Sequence, residues 1–410
     1  MPKSMPRAEF IALMAMVAAT IALSIDAMLP ALPQIGQDLT PGDLNNAQLV
    51  ITTFVLGMGV GTLFAGPLSD TFGRKPVMLI GSGIYIVGAL LASRAQTLEV
   101  MIAARVLQGL GASGPRVVTL AVVRDLYAGR GMAKVLSFIM IVFALVPAIA
   151  PLLGSIVINL SGWRAVFYGF VAFSVVTATW LALRLPETLS PENRRRLRIE
   201  DLASAAKEVF AHPVVRLSIL VQALCFSMLF SMLASVQQIY DITFDRAENF
   251  PLWFGLVAVL AASSSILNAA LVVRLGMMVL VRAMLSAQVL ISGLMIVLGI
   301  GATAGVIAPG PFFAAFVVWQ VSIFFQAGMT IGNLSAIAQE PMGHIAGMSA
   351  SIISAMSTVG AVSLAIPVGL MFDGTPVPLS IAIFVEALAA LWLMRLMMTA
   401  EARLAPTIPN

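Results

Sequence analysis

The sequence predicts an all-α membrane protein in which twelve transmembrane helices form two six-helix, pseudo-repeated bundles. Of its 410 residues, 60% are hydrophobic and only 10% are charged, which leaves too little polar surface to cover a soluble globule. Apolar segments of roughly 20 residues, the length that crosses a bilayer, recur along the chain. One long polar stretch separates six such segments from six more. These three observations exclude a soluble fold.

The apolar segments follow one another in order, and they define the domains. The first six lie near residues 10–32, 46–68, 76–93, 98–123, 132–159 and 163–185, and the second six near 213–238, 250–273, 279–301, 309–338, 343–370 and 378–397. The first segment precedes many more spans and is therefore predicted to be a membrane helix, not a cleaved signal. The boundaries predict an N-terminal bundle (1–185), a cytoplasmic linker (186–212) and a C-terminal bundle (213–410). Within the linker, residues 199–209 form either an amphipathic helix on the membrane surface or a solvated connection.

The positive charges predict how the chain is oriented. Twelve crossings put both termini on one side, and most Lys and Arg residues fall in the loops of that side. Only Arg94, Arg164 and Arg246 fall in loops of the opposite side. Because basic loops face the cytoplasm, both termini are predicted to be cytoplasmic, in a bacterial cytoplasmic (inner) membrane. The basic residues sit between apolar segments, so the lipid bilayer, and not nucleic acid, is the predicted partner.

Several residue types that enzymes and metalloproteins need are scarce. Two histidines, His212 and His344, supply neither a histidine metal site nor a nucleophilic triad. The string Gly109–Gly114 spells G-x-G-x-x-G, but no strand precedes it, so we expect close helix packing there and not a dinucleotide. No phosphate-binding loop with its lysine occurs. The chain is predicted not to be an enzyme and to hold no metal or cofactor.

The fourth span contains two arginines, Arg105 and Arg116, at membrane depth. A guanidinium there costs at least about 2.5 kcal/mol on insertion scales, so it usually faces water or an acid. Arg105 and Arg116 are eleven positions apart, and in a helix this spacing returns to within about 20° of the same face. Gln108 lies close to the stripe that the two arginines define. Helix rise also puts Asp26 of the first span and Arg105 at one depth, roughly 10 Å below the external face.

These positions predict proton-coupling residues and a substrate cavity. Asp26 is the predicted proton carrier and Arg105 its modulator; the alternative is a permanent ion pair that locks two helices. For Arg116 three interpretations stay open: a negatively charged substrate, the acid Glu386 of the last span, or the inner headgroups as its partner. The residues predicted to line the cavity are Gln108, Arg116, Met228, Gln326 and Asn333.

The loop after the second span is the most specific string in the chain. It reads Gly66-Pro67-Leu68-Ser69-Asp70-Thr71-Phe72-Gly73-Arg74-Lys75-Pro76 and resembles the G-x-L-x-D-x-x-G-R-[KR] loop of the major facilitator superfamily. Gly73 permits a tight turn, and Asp70 can face a helix end or an arginine across the interface between the two halves. Arg74 and Lys75 anchor the cytoplasmic side. Gly66, Asp70, Gly73, Arg74 and Lys75 are therefore predicted to belong to a cytoplasmic gate, and a degraded echo, Asn268–Gly276, indicates a repeat in the second half.

Two further segments are similar to motifs of that superfamily. Arg105–Gly109 resembles its R-x-x-Q-G motif, whose arginine is thought to take part in proton coupling. In the fifth span Pro147, Pro151 and Gly154 partly match the antiporter segment of drug/proton exchangers, although most of the glycines of that segment are replaced here. Proline frees a helix carbonyl and permits a bend, so these three residues join the predicted gate and motif set.

The first span narrows the resemblance to one branch. Ser24–Pro33 is similar to the D-M-Y-L-P-A-L-P signature of the bicyclomycin and chloramphenicol resistance (Bcr/CflA) branch, with Asp26-Ala27-Met28 in place of the usual tyrosine-bearing string. Val123–Tyr127 and Gly162–Phe167 continue the similarity. The resemblance implies a monomer of the major facilitator fold that exports small, largely apolar compounds by alternating access, with the proton as its coupling ion. The alternatives are an uptake symporter or facilitator on the same fold, and a non-transporting membrane receptor or assembly partner.

Overall fold

The computed structural model describes residues 5–194 and 198–404, and within them the chain is helical without any strand. Eleven helical stretches in that part of the chain are long and apolar enough to cross a membrane. One of them, Pro309–Leu370, is 62 residues long and contains a break at Met342, where φ is −105° and ψ is 20°. It therefore holds two crossings, and the predicted all-α membrane class is confirmed.

The helices that correspond to the predicted spans are labelled α1 to α12. The first six are α1 (Arg7–Asp26), α2 (Leu49–Phe72), α3 (Arg74–Ser93), α4 (Leu98–Leu126), α5 (Gly129–Ser161) and α6 (Arg164–Arg184). The second six are α7 (Pro213–Gln238), α8 (Phe250–Leu275), α9 (Met277–Thr303), α10 (Pro309–Gln339), α11 (Ala346–Leu370) and α12 (Val377–Leu404). Most predicted boundaries agree within a few residues. The last helix continues to Leu404, beyond the predicted end at residue 397. Helical backbone hydrogen bonds can continue after the apolar residues end.

The first span differs from the prediction at Asp26, the acid that it contains. A continuous helix over 10–32 was expected, but α1 ends at Asp26 and short helices, Leu29–Ala31 and Leu32–Leu39, follow it. Pro30 explains the break, because it has no N–H to donate to the carbonyl of Asp26 four residues earlier. Asp26 therefore lies at a helix end and not within a continuous helix.

The contacts divide the chain into two compact units. One holds the residues before Ile199 together with Glu248–Leu256, and the other holds Ile199–Ala247 and the residues from Val257 onward. The predicted linker includes residues 195–197, which lie outside the described residues. Its later part forms the helix Ile199–Ala211, which packs against α7 and α11 of the second unit and in which Ala205 and Val209 are buried.

Glycines let the helices of the first unit approach closely. A Cβ at Gly57 of α2 would overlap the carbonyl of Val106 in α4, and one at Gly109 would overlap the carbonyl of Phe54 in α2. On the other side of α4, a Cβ at Gly111 would overlap the backbone of Tyr85 in α3. The G-x-G-x-x-G string is therefore used for close helix packing, as predicted.

The outer faces of both units carry large apolar side chains. Leu160 is 79% exposed, Leu183 78% and Val273 88%. Apolar surface on this scale is unusual in a soluble protein and suits contact with lipid. The protein is embedded in the bilayer.

Two glycines support the predicted repeat. Gly73 precedes α3 with φ 104° and ψ 158°, and Gly276 precedes α9 with φ 83° and ψ 154°. Both conformations favour glycine, and each reverses the chain between consecutive helices. The loop echo noted in the sequence therefore has a matching backbone geometry.

Candidate functional site

Arg105 is fully buried, with 0% of its surface exposed, which is the lowest exposure among the charged residues described in the first unit. Its Nε donates to the carbonyl of Val50 in α2 at 2.7 Å, and its Nη1 donates to Oε1 of Gln108 at 2.7 Å. Its Nη2 donates to the carbonyl of Ser24 in α1 at 3.0 Å. The guanidinium carbon also lies 4.4 Å from the ring centroid of Phe54. One arginine thus ties α1 and α2 to α4 through neutral acceptors and an aromatic face.

The bond to Ser24 lies at the C-terminal end of α1. The last carbonyls of a helix have no N–H of their own helix to accept, and their partial negative charge attracts a cation. Ala27 donates to the carbonyl of Leu23, and Met28 to that of Ile25, which leaves the Ser24 carbonyl to Arg105. Arg105 therefore caps the helix that ends at Asp26.

Asp26 is buried, with 5% of its surface exposed. No hydrogen bond or ion pair engages its carboxyl anywhere in residues 5–194 and 198–404. The predicted common depth agrees with the contact between Arg105 and Ser24, which lies two residues before Asp26. The predicted alternative of a permanent ion pair between Asp26 and Arg105 is not formed in this structure.

Helix α5 approaches the chain next to Asp26. A Cβ at Gly154 would overlap the carbonyl of Ala27, so glycine is needed for this contact between α5 and the end of α1. Pro147 and Pro151 both lie inside α5, which stays helical through them. Each proline leaves a carbonyl one turn earlier without its helical N–H donor. The partial antiporter motif therefore packs against the residue that follows the candidate proton carrier.

Ser24 and Tyr85 extend this polar cluster, and the sequence did not single them out. The Ser24 hydroxyl donates to the carbonyl of Thr20 at 2.6 Å and lies 2.5 Å from the hydroxyl of Tyr85. Gln108 accepts from Arg105, while its Nε2 is buried and bonds to nothing among the described residues. Tyr85 is fully buried in α3, at 1% exposure. The sequence signal that could have identified Tyr85 is a tyrosine in an otherwise apolar span.

Two cavities border Tyr85. The larger, of about 190 Å³, lies between α1, α3, α5 and α6 and has an almost wholly apolar lining that includes Gly154 and Phe170. The smaller, of about 20 Å³, is large enough for one water molecule. Hydroxyls line it, from Thr20, Ser82, Tyr85, Ser174 and Thr177. The polar cluster around Arg105 therefore adjoins both an apolar cavity and a hydroxyl-lined one.

Arg116 lies eleven residues further along α4 and is half-buried. Its Nη1 is buried, and the described chain offers it no hydrogen-bond partner. Arg116 differs from Arg105 in this respect, because every nitrogen of Arg105 has an acceptor. Its predicted position in the substrate cavity stays a prediction.

The predicted gate residues of the second loop form one cluster. Arg74 Nη1 contacts Asp70 Oδ1 at 2.5 Å and Ser69 Oγ at 2.7 Å, while its Nε bonds Asp125 Oδ2 at 3.1 Å. Lys75 Nζ donates to the carbonyl of Ala182 at 2.7 Å. Asp70 thus faces an arginine one turn later in its own unit. The cluster joins the end of α2, the start of α3 and the end of α4.

Glu187 completes this cluster. Its Oε1 accepts from the backbone N–H groups of Arg74 (2.9 Å), Thr188 (3.0 Å) and Leu189 (2.9 Å), and its Oε2 accepts from that of Lys75 at 3.1 Å. An anion at the first turn of α3 satisfies N–H groups that lack helical acceptors. No sequence pattern predicts this role, because Glu187 lies in the polar stretch more than a hundred residues after α3 begins.

The cavity residues predicted in the second unit are buried between its helices. Met228 is 0% exposed and Gln326 2%. Asn333 donates to Asn268 Oδ1 and to the carbonyl of Met329, both at 2.8 Å. Gln326 donates to Thr330 Oγ1 at 2.8 Å, while its Oε1 has no partner in the part of the chain that the structure describes. Their role in binding stays a prediction.

Comparison with known proteins places the chain among transporters. A family model described as Major Facilitator Superfamily matches residues 14–366. A bicyclomycin resistance protein homolog of Haemophilus influenzae is 30% identical over 275 residues, which cover 67% of this chain and 69% of the relative. A chloramphenicol resistance protein of Pseudomonas aeruginosa is 36% identical over 207 residues, which cover 50% of this chain and 47% of the relative. The solved structure of a D-xylose-proton symporter superposes with a TM-score of 0.76 over 94% of this chain and 96% of that one, at 13% identity, which is a likeness of fold alone.

Proposed function

Because this chain belongs to the Major Facilitator Superfamily and is similar to its bicyclomycin and chloramphenicol resistance proteins, we propose that it exports small, largely apolar compounds in exchange for protons. It is a multi-pass membrane transporter of small molecules and not an enzyme. Export takes place by alternating access, without a cofactor other than the proton. The transporter works as a monomer in the bacterial inner membrane. Its termini are cytoplasmic, since the loops on their side carry most of the Lys and Arg residues.

The observation that carries the proposal is the buried, unpartnered carboxyl of Asp26 at the end of α1. An ionised carboxylate in an apolar interior loses its hydration without gaining a counter-charge, so the buried group retains a proton. When another conformation brings water to it, the carboxylate regains hydration and the proton leaves. Asp26 can thus take a proton on one side of the membrane and release it on the other.

The neighbouring residues have supporting roles in this scheme. Arg105 holds the end of α1 against α2 and α4, and thereby fixes the surroundings of Asp26. Gln108 and Arg116 each present a nitrogen without a partner among the described residues, and these nitrogens bind polar groups of the substrate. Met228, Gln326 and Asn333 of the second unit also contribute to substrate binding. Asp70 and Arg74 belong to the cytoplasmic gate.

Transport by Asp26→Asn tests the proposal. In inside-out vesicles with an acidic interior, the wild-type chain is expected to accumulate a labelled apolar drug, and a protonophore should abolish the accumulation. Asp26→Asn removes the titratable group with little change in volume, and we expect at least a tenfold loss of the gradient-driven rate. Asp43→Asn is the matched control, because Asp43 is exposed and an asparagine can still cap the backbone of Asn45.

Two outcomes contradict the proposal. Gradient-driven accumulation that survives in Asp26→Asn at the wild-type rate means that this carboxyl is not the carrier. Accumulation only in right-side-out vesicles with an acidic exterior means uptake together with protons. That outcome is symport, and a D-xylose-proton symporter shares the fold. A chain that binds a compound but moves it in neither type of vesicle is a receptor.

A further inference from the structure

The second unit contains a buried carboxyl of its own, and we propose that Glu386 is a second proton-binding site, separate from Asp26. The proposal deepens the proposed function, because a second exchangeable proton takes part in coupling only if the protein is proton-coupled. Proton binding by Glu386 itself can be measured without any transport.

Glu386 lies near the middle of α12, which has 28 residues, and only 8% of its surface is exposed. Its Oε1 accepts a hydrogen bond from the hydroxyl of Ser227 in α7 at 2.6 Å. Its Oε2 is fully buried, and no group within residues 5–194 and 198–404 bonds to it. One neutral hydroxyl is therefore the whole polar contact of this side chain in the described structure.

No cation faces Glu386 from the helices packed against it. Helix α12 packs against α7, α9 and α11, and the charged residues of these three are Arg216 in α7 and Arg282 in α9, both exposed. Arg395 of α12 is also exposed, and at nine positions away it points about 180° from Glu386 and lies roughly 13 Å further along the axis. Cys225 of α7 is a titratable neighbour of Glu386, and its buried thiol bears no positive charge in either protonation state. The charge of an ionised Glu386 would have no compensation here.

The bond to Ser227 also bears on the position of a proton on Glu386. With the hydroxyl of Ser227 as the donor to Oε1, Oε1 is the carbonyl oxygen and a proton bound by Glu386 is on Oε2. A purely structural acceptor for Ser227 would not need a carboxyl, because an amide oxygen accepts the same bond without the desolvation penalty of a charge. The carboxyl therefore supplies what an amide cannot, the ability to gain and lose a proton.

Infrared difference spectroscopy on the purified full-length protein in detergent tests this inference. Spectra recorded across a pH titration contain C=O stretching bands from protonated carboxyls. We expect one band that disappears as the pH rises, that is absent from Glu386→Gln and that is kept in Asp26→Asn. Glu401→Gln is the matched control, since Glu401 is an exposed acid of the same helix, and it should keep the band.

A second variant addresses the position of the proton. Ser227→Ala removes the bond to Oε1 and should keep the titrating band but move it to higher frequency, as expected for a carbonyl released from a hydrogen bond. Glu386→Gln with a wild-type set of titrating bands overturns the proposal, and so does a Glu386 band that stays constant across the titration. Failure of export in vesicles would leave these spectra unchanged, so the two proposals fail separately.

Discussion

The strongest stability prediction concerns Glu187, whose carboxylate holds the start of α3. Glu187→Gln keeps the size of the side chain but replaces one acceptor oxygen with a donor nitrogen and removes the charge. The amide oxygen can still accept from Arg74, Thr188 and Leu189. The amide nitrogen would face the N–H of Lys75, which loses its acceptor.

The magnitude follows from counting these bonds. A hydrogen bond to a charged acceptor contributes about 1.5–3 kcal/mol and one between neutral groups about 0.5–1.5 kcal/mol. Three bonds weaken and one is lost, and an anion at a helix N-terminus contributes a further 0.3–1 kcal/mol or so. Glu187 is half-buried, so water screens part of this change. We expect Glu187→Gln to lower the free energy of unfolding by about 2–4 kcal/mol.

Unfolding by SDS titration in mixed micelles, followed by tryptophan fluorescence, measures this change. The control is Glu192→Gln in the same polar stretch. Bonds from its own backbone N–H and from Ser190 lower the pKa of Glu192, so this acid is charged at neutral pH, but unlike Glu187 it is exposed. The reasoning is refuted if Glu187→Gln and Glu192→Gln unfold at the same SDS fraction as the wild type.

Two further substitutions test the glycine before α3 and the arginine in α4. Gly73→Ala places an L residue at φ 104°, which strains the backbone, and puts its Cβ 2.5 Å from Glu187 Oε2, which displaces the carboxylate. We expect the two effects together to lower the free energy of unfolding by about 1–3 kcal/mol. Gly276→Ala, at φ 83° with nothing within 4 Å of the new Cβ, measures the strain alone, and an equal loss in both variants would rule out the Glu187 contribution. Arg105→Lys keeps the charge, but one nitrogen cannot reach three acceptors on different helices, so at least one bond of about 1.5–3 kcal/mol is lost and export falls. Wild-type stability and export in Arg105→Lys would contradict the bonding role assigned to the guanidinium.

Most of the fold could be predicted from the sequence, because the thickness of the bilayer sets the length of each apolar segment. The prediction was wrong at the end of α1, where a single residue breaks the helix. Pro30 has no N–H to donate to the Asp26 carbonyl, and a hydropathy profile does not detect this missing hydrogen bond. The later part of the linker is the helix Ile199–Ala211, in which Ala205 and Val209 are buried. Its place on the membrane surface stays a prediction.

The sequence predicted which site residues lie close together only where those residues belong to one helix or one loop. The spacing of Arg105 and Gln108 predicted that they share one face of α4, and the structure shows them in contact. The loop motif predicted a helix end or an arginine across the half interface for Asp70, and the observed contact is instead with Arg74 of the same loop. Glu187 and Tyr85 were missed because their partners are distant in sequence. Backbone acceptors such as the Val50 carbonyl leave no residue-type signal at all.

Helix α4 physically connects the two polar clusters of the first unit. Arg105 lies near its start and Asp125 near its end, twenty residues or roughly 30 Å apart. Arg105 attaches α4 to the end of α1, and Asp125 attaches it to Arg74 at the start of α3. Between them, Pro115 interrupts the helical hydrogen bonds without ending the helix. A change in the tilt or bend of α4 would therefore displace the surroundings of Asp26 and the cluster around Arg74 together. In the proposed export mechanism, this helix links protonation of Asp26 to the proposed cytoplasmic gate.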